Sequence, residues 1–453
     1  MTRKDWKHEK VICMLLALLM MLAVFAGCAK QSETQTTDTP AQTDTQTPAE
    51  TTDEPAPAED TADQPASEEP ITLTFWTPTW RQAAEEAIIA DFEAKYPNIK
   101  IEATYLSSAD IKTNTKIAAS SNTLPDMWYN WGGAFADYYA ENGLCLDLTD
   151  YANEHNWSDR FLAGALEQAT YDGKIIGLPQ NLIALVVFYR KDLLEQNGIE
   201  IPTTLEELEA ACQTLVDNGV TPFATYGNAI MRTQEALVEC YGTEEEHDNL
   251  LLMRESWDGN EAVTKSWEKV KEWIDKGYFP SSVLTEDSNS SNMLVFSGQC
   301  AMTIENPAFC SQIIANGDDI NNYGWFPFPT TSGRLSAYAK LCQFNANISD
   351  EKLEAAMLFW DYYYSAESVA AHDSIEQPTA TIGVELPESF QLVDGLLDLI
   401  DEKGTYCVTD LKVPAEVMST YFAVSDGVVL GTVAPEEAGA QIQAAIDSYL
   451  ANQ

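Results

Sequence analysis

ITLTFWTPTWRQAAEEAIIADFEAKYPNIKIEATYL, residues 71–106, is the stretch on which the reading of the fold turns. Residues 71–76 alternate apolar and polar, as a half-buried strand does. Ala83, Ala84, Ala87, Ile88 and Phe92 then recur at helical spacing and stop before Tyr96-Pro97-Asn98, a helix terminator. Ile99, Ile101, Ala103 and Tyr105 alternate again. Helix returns over 109–121, and Leu124-Pro125-Asp126-Met127-Trp128 opens a third strand. Strand and helix alternating at this interval predict βαβ units. The expected fold class is α/β, with mostly parallel sheets flanked by helices.

Working outward, residues 71–453 are too many for one hydrophobic core, so two lobes are expected. The later part is more helical, with amphipathic patterns over 205–218, 263–276, 350–364 and 435–451. Thr203 to Glu206, after Pro202, carries a capping-box signature for the first of these. Trp257, Trp267, Trp273 and Trp360 fall on helical patterns and read as core.

Ahead of the body, Arg3, Lys4, Lys7 and Lys10 precede an apolar run over 11–26 that ends in Ala26-Gly27-Cys28. The run is short for a membrane span and has the layout of an export signal. Small residues followed by cysteine resemble the bacterial lipoprotein signal, which implies lipidation at Cys28; Phe25 stands where Leu or Val is usual. Residues 29–70 hold no aromatic residue and no Ile or Leu, and so cannot offset their ordering entropy by burial. The expected organisation is a signal peptide over 1–27, a disordered acidic Thr/Pro-rich linker over 28–70, and a folded domain over 71–453. As a flexible coil that linker would span roughly 35 Å.

The formal net charge of −46 divides into +2 for the leader, −10 for 29–70 and −38 for the body. So acidic a body is repelled by nucleic acid and by anionic lipid, leaving the lipid anchor as the expected membrane contact. Seven body cysteines, at 145, 212, 240, 300, 310, 342 and 407, form no C-x-x-C pair. They read as small buried hydrophobes, and the four histidines show no metal spacing. No cofactor or metal site is expected. Phosphate-loop, H-E-x-x-H, G-x-S-x-G and G-x-G-x-x-G motifs are all missing, so the chain does not read as an enzyme of those classes.

Six stretches in order carry a family resemblance: LTFWT with FEAKYPNIKIEATY; LPDMWYNWGGAFADYYAENGLCLDLTDY; YDGKIIGLPQNLIALVVFYRKDLLEQNGIEIPTTLEEL; LVFSGQCAMTIENPAF; YGWFPFPT; and APEEAGAQIQAAIDSYL. They resemble the family 1 extracellular solute-binding proteins of ABC sugar importers, the group that includes the maltodextrin-binding protein. Arg190 departs from the Asn common in that family, and Ala308-Phe309 stand where several relatives have Trp. The resemblance implies two α/β lobes on a hinge with the ligand clamped between them. It places crossings near 179–186, 324–327 and 365–372. The first lobe then holds about 71–180 and 327–366, the second about 181–326 and 367–453. It further implies an exported, lipid-anchored monomer that passes its solute to ABC permease subunits. A tethered sensor or adhesin, or a binder of a non-sugar solute, are the alternatives.

A sugar offers C–H faces to aromatic rings and hydroxyls to planar polar groups. Trp76 and Trp80 flank the first strand-to-helix turn, the strand end where such folds bind ligands. Tyr129, Asn130 and Trp131 end the third strand, and Glu305 with Asn306 ends a later one. Tyr226 and Asn228 follow Pro222 in a loop, and Tyr421 is implied by the resemblance as a stacking ring. Each has a packing alternative. The expected ligand is a neutral mono- or oligosaccharide.

Overall fold

The computed structural model describes residues 70–372, 375 and 378–452. The expected signal segment, Cys28 and the spacer through residue 69 lie outside the described residues. β1 (Ile71–Pro78), α1 (Gln82–Lys95), β2 (Ile99–Leu106), α2 (Ser108–Ser121) and β3 (Met127–Trp131) follow one another as the opening stretch predicts. β1 pairs in parallel with β2 and with β3. Leu73 and Phe75, two apart on β1, are fully buried in one cluster with Ile88 and Phe92 of α1. Ser107 starts α2 by accepting from the Asp110 backbone N–H at 3.1 Å, which satisfies a donor the helix cannot.

α3 (Ala134–Glu141) leads on to β4 (Leu178–Ala184), and only Leu185 separates β4 from β5 (Val186–Arg190) of a second sheet. α4 (Leu205–Asp217) is capped one residue later than the sequence suggests. The Thr204 hydroxyl accepts from Glu207 N–H at 3.2 Å, and the Glu207 carboxylate accepts from Thr203 N–H at 2.8 Å. β6 (Thr221–Ala224), α5 (Ile230–Tyr241), α6 (Glu244–Leu251), α7 (Glu261–Asp275), β7 (Cys300–Glu305) and β8 (Tyr323–Phe326) complete that lobe's middle. β9 (Leu335–Phe344), α8 (Asp350–Tyr363) and β10 (Thr405–Cys407) return to the first sheet, followed by α9 (Thr409–Lys412), α10 (Ala415–Leu430) and α11 (Pro435–Leu450).

The first sheet runs β10-β9-β3-β1-β2 with β4 also on β9, and the second runs β8-β5-β7-β6. Both are mixed rather than mostly parallel. β9 lies antiparallel to β3 and β4, and β5 lies antiparallel to β7 and β8, because strands that cross between lobes return in the opposite sense. Beyond the crossing expected at 365–372, β10 still pairs with Leu335–Ala337 of β9 in the first sheet. Residues 380–382 pack back on that side, with Leu162 N–H donating to Ala380 O at 2.9 Å, while Glu388–Val393 packs against Ala308–Ala315 and Tyr323–Phe326 of the other. We propose lobes of 71–184 with 335–407, and 186–326 with 408–452.

Trp257, Trp267, Trp273 and Trp360 are buried, the first three in the second lobe's core and Trp360 against Phe75. All seven body cysteines are unpaired. Burial pushes the thiols of Cys145, Cys300 and Cys310 up to about 12, which leaves them protonated and inert.

Candidate functional site

β1 ends at Pro78 and a single 3-10 turn, Thr79–Arg81, carries Trp80 out of the sheet with 49% of its surface exposed. Beneath it Tyr129 is fully buried and meets the Trp80 ring edge-on at 5.9 Å. The Lys340 ammonium lies 4.7 Å from the Trp80 ring centre and 5.9 Å from that of Tyr338. Arg81 is buried behind this platform, where it pairs with Glu85 at 3.2 Å and donates to Gln180 and Tyr363. A cation within about 6 Å of an aromatic face is attracted by the ring quadrupole, so these contacts orient the indole.

Trp131 ends β3 half-buried. Its ring stands edge-on to Tyr129 at 4.8 Å, and the Lys112 ammonium of α2 lies 4.6 Å from it and 3.9 Å from Phe135. Burial lowers the proton affinity of Lys112, while Asp410 opposes that shift. Gly133, just past β3, has φ 75°, and a Cβ there would sit 2.5 Å from the Leu411 carbonyl. Only glycine allows α9 to come this close, and α9 carries Asp410.

Across from these groups, Arg232 of α5 donates to the Ile304 carbonyl at 2.6 Å and pairs with Glu305 at 3.1 Å. Its guanidinium lies 5.8 Å from the Tyr226 ring, and its Nη2 donates to the Tyr226 hydroxyl at 3.4 Å. Burial alone would lower Arg232, but Glu305 and Tyr226 hold its proton affinity above the usual value, with first-lobe Tyr338 also acting on it. Burial raises Asp410, opposed by Lys112 from one lobe and Arg232 from the other. Asp410 therefore stands between the lobes' cations. The charged groups of the two lobes thus act on one another through Asp410 and Tyr338.

The sequence-derived candidates divide accordingly. Trp80 stands beside Lys340 and Trp131 beside Lys112, while Tyr226 and Glu305 stand beside Arg232. Trp76 instead packs against the cluster of Trp128 and Tyr139, and Tyr129 is the support under Trp80. Asn130 spends its amide on the Phe135 carbonyl and Gln343, and its Oδ1 accepts from Trp131 N–H at 2.9 Å; it shapes the turn. Asn306 accepts from Ala308 N–H at 2.9 Å and caps the next helix, while Asn228 is exposed in the turn Gly227–Ala229. Tyr421 is enclosed in the second lobe's core, 5.6 Å from Trp267, with its hydroxyl donating to Gln234 at 2.6 Å. Its neighbour Phe422 is the half-buried one, since successive helix residues point about 100° apart.

Sequence reading missed Lys112, Arg232, Tyr338, Lys340 and Asp410. Lys340 had a signal: it is the one charged residue in the strand LSAYAKLCQF. For the others nothing local marks a role at the site. Among the described residues no group of side chains could hold a metal ion.

A model of the bacterial extracellular solute-binding proteins matches residues 77–370. An uncharacterised ABC transporter extracellular-binding protein of Pyrococcus horikoshii is 24% identical over 334 residues, 72% of this chain and 71% of its own. In structure, a chitin oligosaccharide binding protein superposes with TM-score 0.73 at 22% identity, covering 84% of this chain and 99% of the other. The GacH receptor of Streptomyces glaucescens, solved unliganded and with acarbose, superposes with TM-score 0.68 at 21% identity, covering 85% and 100%.

Proposed function

We propose, from the premise that this chain belongs to the bacterial extracellular solute-binding protein family, that it captures a neutral mono- or oligosaccharide between its lobes and hands it unchanged to ABC permease subunits. The observation that carries this is Trp80: a large ring left half-exposed at a strand end and steadied by the cations of Arg81 and Lys340, in a chain whose planar polar groups Arg232, paired with Glu305, and Asp410 act on first-lobe Tyr338 and Lys112. Such a ring offers a pyranose its face while the planar groups bond its hydroxyls. The solved proteins of like fold named for chitin oligosaccharide and acarbose support the same ligand class. We take Trp80, Trp131, Tyr226, Glu305 and Asp410 as the contact set. Because they come from both lobes, ligand favours the closed arrangement over any in which the lobes part. Lipidation at Cys28 would keep this clamp at the outer face of the membrane, beside its permease.

A thermal-shift screen against mono- and oligosaccharides, with amino acids and short peptides as controls, tests the reading. A sugar at 100 times its Kd should add about 2.7 kcal/mol of stability. A shift produced only by a peptide or amino acid would sink it. With the sugar so identified, Asp410→Asn should weaken binding about tenfold, the scale of one charged hydrogen bond. Unchanged affinity would remove Asp410 from the contact set.

A further inference from the structure

We propose that Glu235 is the positioning residue for Asp410: its enclosed carboxyl group clamps Thr409 and Ser336, and through Thr409 sets where Asp410 stands between the lobes. The inference rests on the contact set above, but its own test needs no ligand.

Glu235 is 1% exposed and lies one helical turn after Arg232 on α5. One carboxyl oxygen accepts from both the backbone N–H and the hydroxyl of Thr409, each at 2.9 Å. The other accepts from the Ser336 hydroxyl. Ser336 lies on β9 and Thr409 opens α9, beside two of the three places where the chain passes between the lobes. One second-lobe carboxyl thus holds both returning segments, and the residue next to Thr409 is Asp410. An apolar side chain would fill the same space but leave the buried Thr409 N–H and the Thr409 and Ser336 hydroxyls without this acceptor.

Other ionisable groups around Glu235 are Arg232 and Glu239 on its own helix, Arg334 before β9, Tyr406, Cys407 and Asp410 beside Thr409, and Tyr421 of α10. Burial pushes Glu235 up to about 7, against the three bonds, which favour the carboxylate. Both protonation states keep the clamp. Thr409 donates to one oxygen throughout, and the Ser336 hydroxyl turns from donor to acceptor when the other oxygen gains a proton.

Glutamine is the neutral isostere: its carbonyl can accept from Thr409 and its amide can donate to Ser336. Alanine deletes the clamp and frees Asp410 to move toward cleft water. The titration of Asp410 is read by carbon-13 NMR of its carboxyl in ligand-free protein. In Glu235→Ala its midpoint should fall by about one unit or more toward the ordinary aspartate value, as desolvation is relieved. In Glu235→Gln it should stay within about 0.3 unit of the parent. Thr409→Val, which removes one bond and keeps the shape, should give a smaller fall in the same direction and serves if the alanine variant does not fold. Equal shifts in the Ala and Gln variants would mean that only charge was lost, and no shift in either Ala or Val would mean that Glu235 does not position Asp410. Either result overturns the proposal. Asp410→Asn binding, by contrast, judges the contact set alone.

Discussion

Replacing Arg334 by alanine is expected to cost the protein about 3–5 kcal/mol of stability, the scale of breaking a buried ion pair from one side. Arg334 stands immediately before β9, where the chain re-enters the first lobe. Its Nε and Nη2 donate to the two oxygens of Glu239 at 2.9 and 3.1 Å, its Nη1 donates to Asp248 at 3.0 Å, and Nη2 also reaches the Glu244 carbonyl. Glu239 is fully enclosed and takes a further bond of 2.6 Å from His247, whose ring packs on Tyr406. Burial would raise Glu239, but His247, Arg334 and Ser332 together hold it down to about 2. A depressed carboxyl contributes stability that is present above the unfolded value near 4.5 and lost as pH falls through about 2. Without Arg334 that depression shrinks, so acid unfolding should begin at higher pH. At roughly 2–4 °C per kcal/mol, the variant should melt about 6 °C or more below the parent at neutral pH. Denaturant melts from pH 3 to 8 check both points. A loss under about 1 kcal/mol, with an unmoved acid limb, would mean that the network is screened like a surface pair.

Trp80→Ala should do the reverse, leaving the empty protein nearly as stable and weakening carbohydrate binding about 30-fold or more. With half its surface in solvent, the indole gives up little burial when truncated, and its edge contact with Tyr129 and the cations around it are worth about 1 kcal/mol. Truncating a central aromatic side chain in a desolvated interface costs about 2 kcal/mol or more. Titration calorimetry with the sugar found by the panel, beside a melt of the ligand-free variant, separates the two effects. Unchanged affinity would move the ligand away from the first lobe's strand ends. Trp131→Ala discriminates less well, because that ring is wedged among Lys112, Tyr129 and Phe135, and its removal loosens the site as well as stripping a ring from it.

The two sites of these substitutions differ in how far they can be read from the chain. Trp80 is legible because an aromatic residue just past a strand end has no place in the strand's alternation. Arg334 is not, since its partners lie on α5 and α6, far off in sequence. Tyr421 shows the limit from the other side. The family resemblance points to an aromatic ring at this place, but a turn of about 100° per residue means that packing alone chose Tyr421 for the core and left Phe422 half-buried.

By itself the sequence determined the elements. Alternation of period two and recurrence at three and four residues are local consequences of strand and helix geometry, and they are written along 71–131 without reference to anything distant. It also determined the two-lobe class, through the order of its motifs. Tertiary structure alone decided that β10 stays with the first sheet, that half of the predicted contact residues are core, supports or caps, and that Lys112, Arg232 and Asp410 meet. Those three come from α2, α5 and α9, and the last of these lies where it does because Gly133 leaves room for the Leu411 carbonyl. Coulombic attraction and burial act through space, so no spacing along the chain records them.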